Sequence, residues 1–306
     1  MKILIVGAGG IGGYFGAKLM NAGADITFLL REKRQKLIQA QGLTIETPKG
    51  NFTVQPQSVT SDQLEPIYDL IILAPKSFDL EDSLKSLAKA SSKGVLLPFL
   101  NGLSHMEALD QQFGQARVMG GVAHIAATIT ETGAVKQLTD LHKLTVGPRA
   151  PEHEALAKEF IQLCQQTDFD SVYSDNIDQV LWDKWVFLAT LAGMTTICRG
   201  SVGEINATPY GKELVLAMYE ECCSIAKACG QPIGDKPQAA AIEMLTKLGS
   251  PFTASMLRDL LSGQKTEHDH ILGQMIHKGE QTDRPCQLLK LAYTHIAVTQ
   301  LKRGSQ

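Results

Sequence analysis

The apolar positions of the chain change their period near residue 174. Before it, apolar runs of strand length alternate with stretches of helical spacing; after it, apolar residues recur every three to four positions and no strand–helix–strand unit returns. Lys2 to Val6 is an apolar, β-branched run, Gly13 to Asn21 carries helical spacing, and Asp25 to Leu30 returns to strand chemistry. Gly42 to Val54 alternates as two short strands around Pro48-Lys49-Gly50, which predicts a β-hairpin. Tyr68 to Lys76 reads as a buried strand ending in a polar residue, with a helix from about Ser77 to Ala90 behind it, and Gly94 to Leu100 repeats the pattern before Asn101-Gly102. Arg117 to Leu144 reads as strand, turn and strand completing the sheet antiparallel, followed by a helix over Pro151 to Gln165 and a short strand from Phe169 to Tyr173. Asp175 or Asn176 is a suitable N-cap for the next helix, so the domain boundary is placed there, with domains 1–174 and 175–306. Helical spacing over Asn176–Thr196, Tyr210–Cys229, Pro237–Leu248 and Gln287–Leu301 makes the second domain a helical bundle.

Between the first strand and the first helix, Gly7-Ala8-Gly9-Gly10-Ile11-Gly12 satisfies G-x-G-x-x-G in the order of elements that a dinucleotide site needs. Gly7 permits the tight turn, Gly9 lets the main chain approach a pyrophosphate, and Gly12 lets helix and strand pack closely, while the helix N-terminus offers N–H groups to the phosphates. The expected fold is therefore an α/β Rossmann-type N-terminal domain followed by an all-α helical C-terminal domain. In an open α/β sheet ligands bind beyond the carboxyl ends of the strands, so Lys76 and Asn101 would share the crevice with the glycines. Taken singly, Lys76 reads equally well as a helix-start surface lysine and Asn101-Gly102 as a turn. Arg31, 19 residues after Gly12, stands where an acid would bind the ribose 2′-hydroxyl of NAD and an arginine the 2′-phosphate of NADP. It reads as the phosphate ligand, supported by Lys33 or Arg34, and the expected cofactor is NADP (NADPH); were Glu32 to face the ribose instead, the preference would reverse.

Composition narrows the setting. The 306 residues suffice for two domains, each with its own core. With 29 basic and 32 acidic residues, net charge −3, nothing points to nucleic acid or a membrane surface. The six cysteines form no C-x-x-C pair and read as reduced core residues. The uncharged run from Ile3 to Ala17 carries six glycines, a poor signal peptide, and Trp185 to Cys198 is too short and threonine-rich to span a bilayer. A cytoplasmic protein is expected, and the apolar faces of its helical domain could pair two subunits.

In the helical half, Lys184 lies in the densest apolar stretch, Leu181 to Leu188, where snorkelling and catalysis are equally open readings. Ser255 could simply start a helix, and Glu267 could be a first-turn acid answering a Thr266 cap. His268, Asp269, His270 and His277 have no ligand spacing, so no metal is expected, and they read as surface groups on a helix.

Together, the glycine motif with Arg31, Lys76, Asn101-Gly102, Trp182-x-Lys184, and Ser255-Met256-Leu257-x-Asp259 with Thr266-Glu267 ending twelve residues beyond the serine resemble the ketopantoate reductase (2-dehydropantoate 2-reductase) family over nearly the whole chain. The resemblance implies NADPH-dependent reduction of ketopantoate to pantoate in pantothenate biosynthesis, with substrate in the cleft between domains. By the same resemblance Lys184 donates a proton to the ketone oxygen and Asn101 contacts substrate and lysine. Ser255 binds the substrate carboxylate, Glu267 lies near substrate hydroxyl and cofactor, and Lys76 sits at the cofactor side. Such a reduction needs a hydride donor, an acid at the carbonyl oxygen and a carboxylate anchor, which the glycines, Lys184 and Ser255 can supply. Burial by Trp185, Phe187 and Leu188 should lower the Lys184 pKa and Glu267 should partly restore it.

The chain departs from the family where asparagines usually follow that lysine and precede the late glycine: it has Leu188, Ala192 and Leu272. A substrate pocket lined by Leu188 and Ala192 implies a 2-oxo acid with a more apolar side chain. A non-catalytic NADP-binding regulator is the further alternative, opposed by the joint presence of Lys184, Ser255 and Glu267.

Overall fold

The computed structural model describes residues 1–87 and 93–304. The chain forms two compact units, one of Met1–Leu100 and His105–Asp178, the other of Asn101–Ser104 and Gln179–Gln306. The first is an α/β unit with a parallel sheet and the second is helical, the expected fold class.

In the first unit, β1 (Lys2–Val6), β2 (Asp25–Leu29), β5 (Gln57–Val59), β6 (Leu70–Leu73) and β7 (Val95–Pro98) form one sheet in the order β5-β2-β1-β6-β7, with every pair parallel. β1 is central because Ile3, Leu4, Ile5 and Val6 are all buried, as the unbroken apolar run of a two-sided strand demands. A second sheet has the order β10-β9-β3-β4, from β3 (Leu43–Glu46), β4 (Phe52–Val54), β9 (Val135–Gly147) and β10 (Asp170–Tyr173), with β8 (Gly120–Ile129) pairing β9 antiparallel. The β3–β4 hairpin forms as expected. The β8–β9 pair, however, does not complete the first sheet; β9 joins the second, parallel to β3 and β10.

Helix α1 (Gly10–Asn21) starts three residues before its apolar spacing begins, because the glycines form its first turn. Tyr14, Phe15, Ala17 and Leu19 share one core with Ile5 and Phe28 of the first sheet and with Ile45, Val135 and Leu144 of the second. A helix apolar on nearly every side is a buried helix, and α1 lies between the sheets. The unit also contains α2 (Glu32–Gln41), α3 (Leu80–Leu87), most of α4 (Ser104–Phe113) and α5 (Glu154–Cys164). The helix expected over Ser77–Ala90 begins with a tight turn at Ser77–Asp79, and its last three residues lie outside the described residues.

The second unit is built around α6 (Ile177–Cys198), whose Trp185, Val186, Ala189, Leu191, Ala192 and Met194 are buried in a core of their own. Around it stand α7 (Val202–Asn206), α8 (Gly211–Ala228), α9 (Asp235–Thr246), α10 (Ser255–Leu261), α11 (Gln274–Gln281) and α12 (Gln287–Gly304). A π-turn over Asp269–Gly273, in which the Gln274 N–H donates to the Asp269 carbonyl, leads into α11. Among the described residues no helix is long and apolar enough to cross a membrane.

Candidate active site

In the first unit the glycines separate into two jobs. Gly7 has φ +92, the left-handed region that favours glycine, and its N–H donates to Leu29 O at 3.1 Å. A Cβ on Gly12 would stand 2.3 Å from Gly7 O and 3.1 Å from both Ala74 Cβ and Ile5 Cγ2, so this glycine is needed for helix–strand contact. Gly10 is covered by the second sheet, its Cβ position 3.1 Å from Ala127 O. Gly9 differs: its backbone is extended (φ −87) and a Cβ there would meet nothing within 4 Å. Among the described residues nothing occupies the place of a Gly9 Cβ, so open space lies beside the first turn of α1, where backbone N–H groups have no partner within the helix.

Arg31 immediately precedes α2, exposed, with Nη2 donating to Asp79 Oδ1 at 2.7 Å. Its guanidinium is held above its ordinary pKa, first by that hydrogen bond and then by the Asp79 charge. Glu32 is turned along its own helix to Lys36, at 2.7 Å. Arg34 donates from Nη2 to Ala8 O at 3.1 Å and from Nη1 to Gly133 O at 2.8 Å, tying the glycine turn to the β8–β9 turn. Lys76 follows β6 and is exposed.

In the second unit three of the expected residues come together. Lys184 on α6 is half-buried, and its Nζ donates to Asn101 Oδ1 at 3.2 Å. The Asn101 Nδ2 faces Glu267 Oε2 at 3.5 Å, so one amide stands between ammonium and carboxylate with each end toward the charge it suits. Burial pushes the Lys184 pKa down to about 8, and the Glu267 carboxylate opposes that shift. Glu267 is only 6% exposed.

Ser255 begins α10, and its hydroxyl makes no hydrogen bond to any other described residue. Its neighbour Ala254 donates N–H to Thr195 Oγ1 at 3.4 Å, which ties the start of α10 to the α6 face that also carries Lys184, Leu188 and Ala192. Leu188, one turn beyond Lys184, is half-buried against the helical core, whereas Ala192 and Leu272 are fully enclosed in it.

Other contacts around this group have no mark in the sequence. Trp185, 1% exposed, donates Nε1–H to Ile271 O in the π-turn at 3.0 Å. Ser104 Oγ lies 2.8 Å from His270 Nδ1. The four groups read as surface residues are each engaged: His270 with Ser104, His268 Nδ1 with Thr266 Oγ1 at 2.8 Å, Asp269 with the Tyr293 hydroxyl at 2.5 Å and His277 with Gln281 at 2.9 Å. His270 is half-buried rather than a surface group, and burial lowers its pKa while Glu267 opposes.

The family model described as ketopantoate reductase PanE/ApbA matches residues 3–151, and that of its C-terminal part matches residues 176–300. An uncharacterized oxidoreductase, YkpB, of Bacillus subtilis (strain 168) is 29% identical over 304 residues, covering 99% of this chain and 100% of its own. A 2-dehydropantoate 2-reductase of Nostoc sp. is 26% identical over 289 residues, covering 92% of this chain and 89% of its own. The ternary structure of D-mandelate dehydrogenase with NADH and anilino(oxo)acetate superposes with a TM-score of 0.88 at 21% identity, covering 99% of this chain and 100% of that one.

Proposed function

We propose for this chain, which belongs to the ketopantoate reductase PanE/ApbA family, the NADPH-dependent reduction of a 2-oxo acid to the 2-hydroxy acid. Ketopantoate, reduced to pantoate in pantothenate biosynthesis, is the first substrate to try. The observation that carries the reading is the Lys184 ammonium, pushed down to about 8, on Asn101 and before the Glu267 carboxylate. A general acid is most effective when its pKa lies near the working pH, and an ordinary exposed lysine is two units too basic.

Residues 1–174 form the cofactor-binding part in this reading and 175–306 the catalytic part. Gly7 to Gly12 hold the pyrophosphate. Arg31 takes the 2′-phosphate, supported by its place just after β2 and by Glu32 being turned to Lys36. Lys76 serves the cofactor side. Bound NADPH supplies a hydride to the carbonyl carbon. As charge builds on the carbonyl oxygen, the Lys184 N–H bond breaks and the proton forms the new O–H bond; the neutral amine recovers its proton from water. Asn101 accepts one ammonium N–H, which fixes the direction in which the ammonium is held. Glu267 keeps the ammonium charged before the reaction, and the open hydroxyl of Ser255 anchors the substrate carboxylate.

A second substrate reading rests on Leu188, which places a hydrocarbon one turn from the acid. It favours a 2-oxo acid with a branched or aromatic apolar side chain. The same fold carries D-mandelate dehydrogenase with NADH, so the fold by itself selects neither the acid nor the cofactor. The test is NADPH oxidation by purified protein with ketopantoate, 2-oxoisovalerate and phenylglyoxylate. A higher kcat/KM for ketopantoate decides for the first reading, and a higher value for either of the others decides for the second. Tight NADPH binding without turnover on any would instead identify a regulatory protein and refute both.

A further inference from the structure

The Lys184, Asn101 and Glu267 groups stand on three separate stretches of chain, and each stretch is fastened to the same π-turn. Glu267 leads into it: the N–H groups of His270 and Ile271 both donate to Glu267 O, at 3.1 and 2.9 Å. Lys184 is next to Trp185, whose Nε1–H donates to Ile271 O at 3.0 Å. The third stretch, Asn101 to Ser104, is held by its far end and its middle. Ser104 Oγ meets His270 Nδ1 at 2.8 Å, and a Cβ on Gly102 would stand 2.8 Å from His270 O and 3.0 Å from His270 Cδ2. Gly102 also has φ +76, so both its conformation and its room require glycine. The loop thus lies flat on the backbone and ring of His270, with its Asn101 amide in reach of Lys184.

A side-chain amide between two charged groups works only if it stays put. Asn101 has two rotatable side-chain bonds, and its contact to Glu267, at 3.5 Å, is too long to fix it strongly. We propose that His270 and Ser104 are positioning residues: their hydrogen bond clamps the Asn101 loop to the π-turn and so holds the Asn101 carbonyl on the Lys184 ammonium. The inference rests on the proposed role of Lys184 as acid, and adds the pair that keeps its partner in register.

The clamp has a signature that a merely structural bond lacks. An acceptor on the ammonium favours its charged form, so loosening Asn101 must lower the Lys184 pKa. The Glu267 carboxylate acts on both Lys184 and His270, and removing the Ser104 hydroxyl leaves that charge unchanged. The experiment compares wild type, S104A, S104T, H270N and N101A in steady-state reduction of the best 2-oxo acid across pH. S104A is expected to lower kcat about five-fold, the worth of one neutral hydrogen bond, with little change in KM for NADPH. Its alkaline limb should move to lower pH, as in N101A, and S104T should restore both. In the N101A background S104A should add nothing.

An S104A enzyme with an unmoved alkaline limb, or one whose loss simply adds to that of N101A, overturns the clamp. Should wild type reduce no 2-oxo acid, the functional proposal falls while the clamp is still decided by competitive acetylation of Lys184 across pH. That assay must give a lower lysine pKa in S104A than in wild type, and equal values refute the clamp. Thermal melts of every variant separate a lost fold from a lost register.

Discussion

Lys184 is the residue at which burial and charge compete most openly. Desolvation drives its pKa down and Glu267 pulls it back, leaving it at about 8. In the proposed role Lys184 must carry its proton, so reduction is expected to be full below that value and to fall as pH rises through about 8, read as the alkaline limb of kcat. Lys184→Ala should cost about 10²- to 10⁴-fold in kcat with NADPH affinity unchanged by fluorescence titration; equal loss of both would count against the acid role. Arg31→Ala tests the phosphate reading. Its ion pair with Asp79 is exposed, so the melting temperature should hold, while NADPH affinity should drop by about ten-fold or more, a charge-assisted bond's worth, and NADH affinity stay level. Spacing left Lys184 open between snorkelling and catalysis, and only the resemblance chose. His270 was harder still: its partner is 166 positions away, and no local pattern separates a clamped histidine from one in water.

At the scale of elements, Gly9 and Gly12 make a controlled pair. Both belong to the motif, yet a Cβ at Gly12 would meet Gly7 O at 2.3 Å and one at Gly9 would meet nothing within 4 Å. Gly12→Ala should therefore cost about 3 kcal/mol of stability through overpacking. Gly9→Ala should cost about 1 kcal/mol or less, the loss of a glycine N-cap, and should still abolish cofactor binding. Urea unfolding and cofactor titration on both variants check this; a Gly9→Ala protein that binds NADPH normally would falsify the phosphate cradle. The same glycines explain why α1 was legible: a strand, a turn with left-handed φ and an all-round apolar helix each leave their own trace. Helix α2 left none, because of its ten residues only Gln35 and Ile38 are buried. β5 is three residues long and is a strand only because it pairs β2. The π-turn reads as ordinary helix, since one extra residue per turn does not disturb the apolar spacing around Ile271 and Leu272.

For the whole molecule, the change of hydrophobic period announced two cores, and the described residues form two clusters with no residue in common. The second sheet was not legible for a topological reason: β9 pairs β3 in parallel across some ninety residues of chain, and alternation within a strand carries no address for its partner. Separate cores have a thermodynamic consequence. A ligand that binds only the native first unit stabilises that unit by mass action, about 2.7 kcal/mol at a hundred times Kd, or roughly 5–10 °C for a domain of this size. Calorimetry with NADPH should show that shift in wild type and in Lys184→Ala alike, since the lysine belongs to the other core, and should show none in Gly9→Ala. If Lys184→Ala abolished the shift, the cofactor would be held chiefly by the helical unit, and the proposed division of labour between a reductant-binding core and an acid-bearing core would have to be given up.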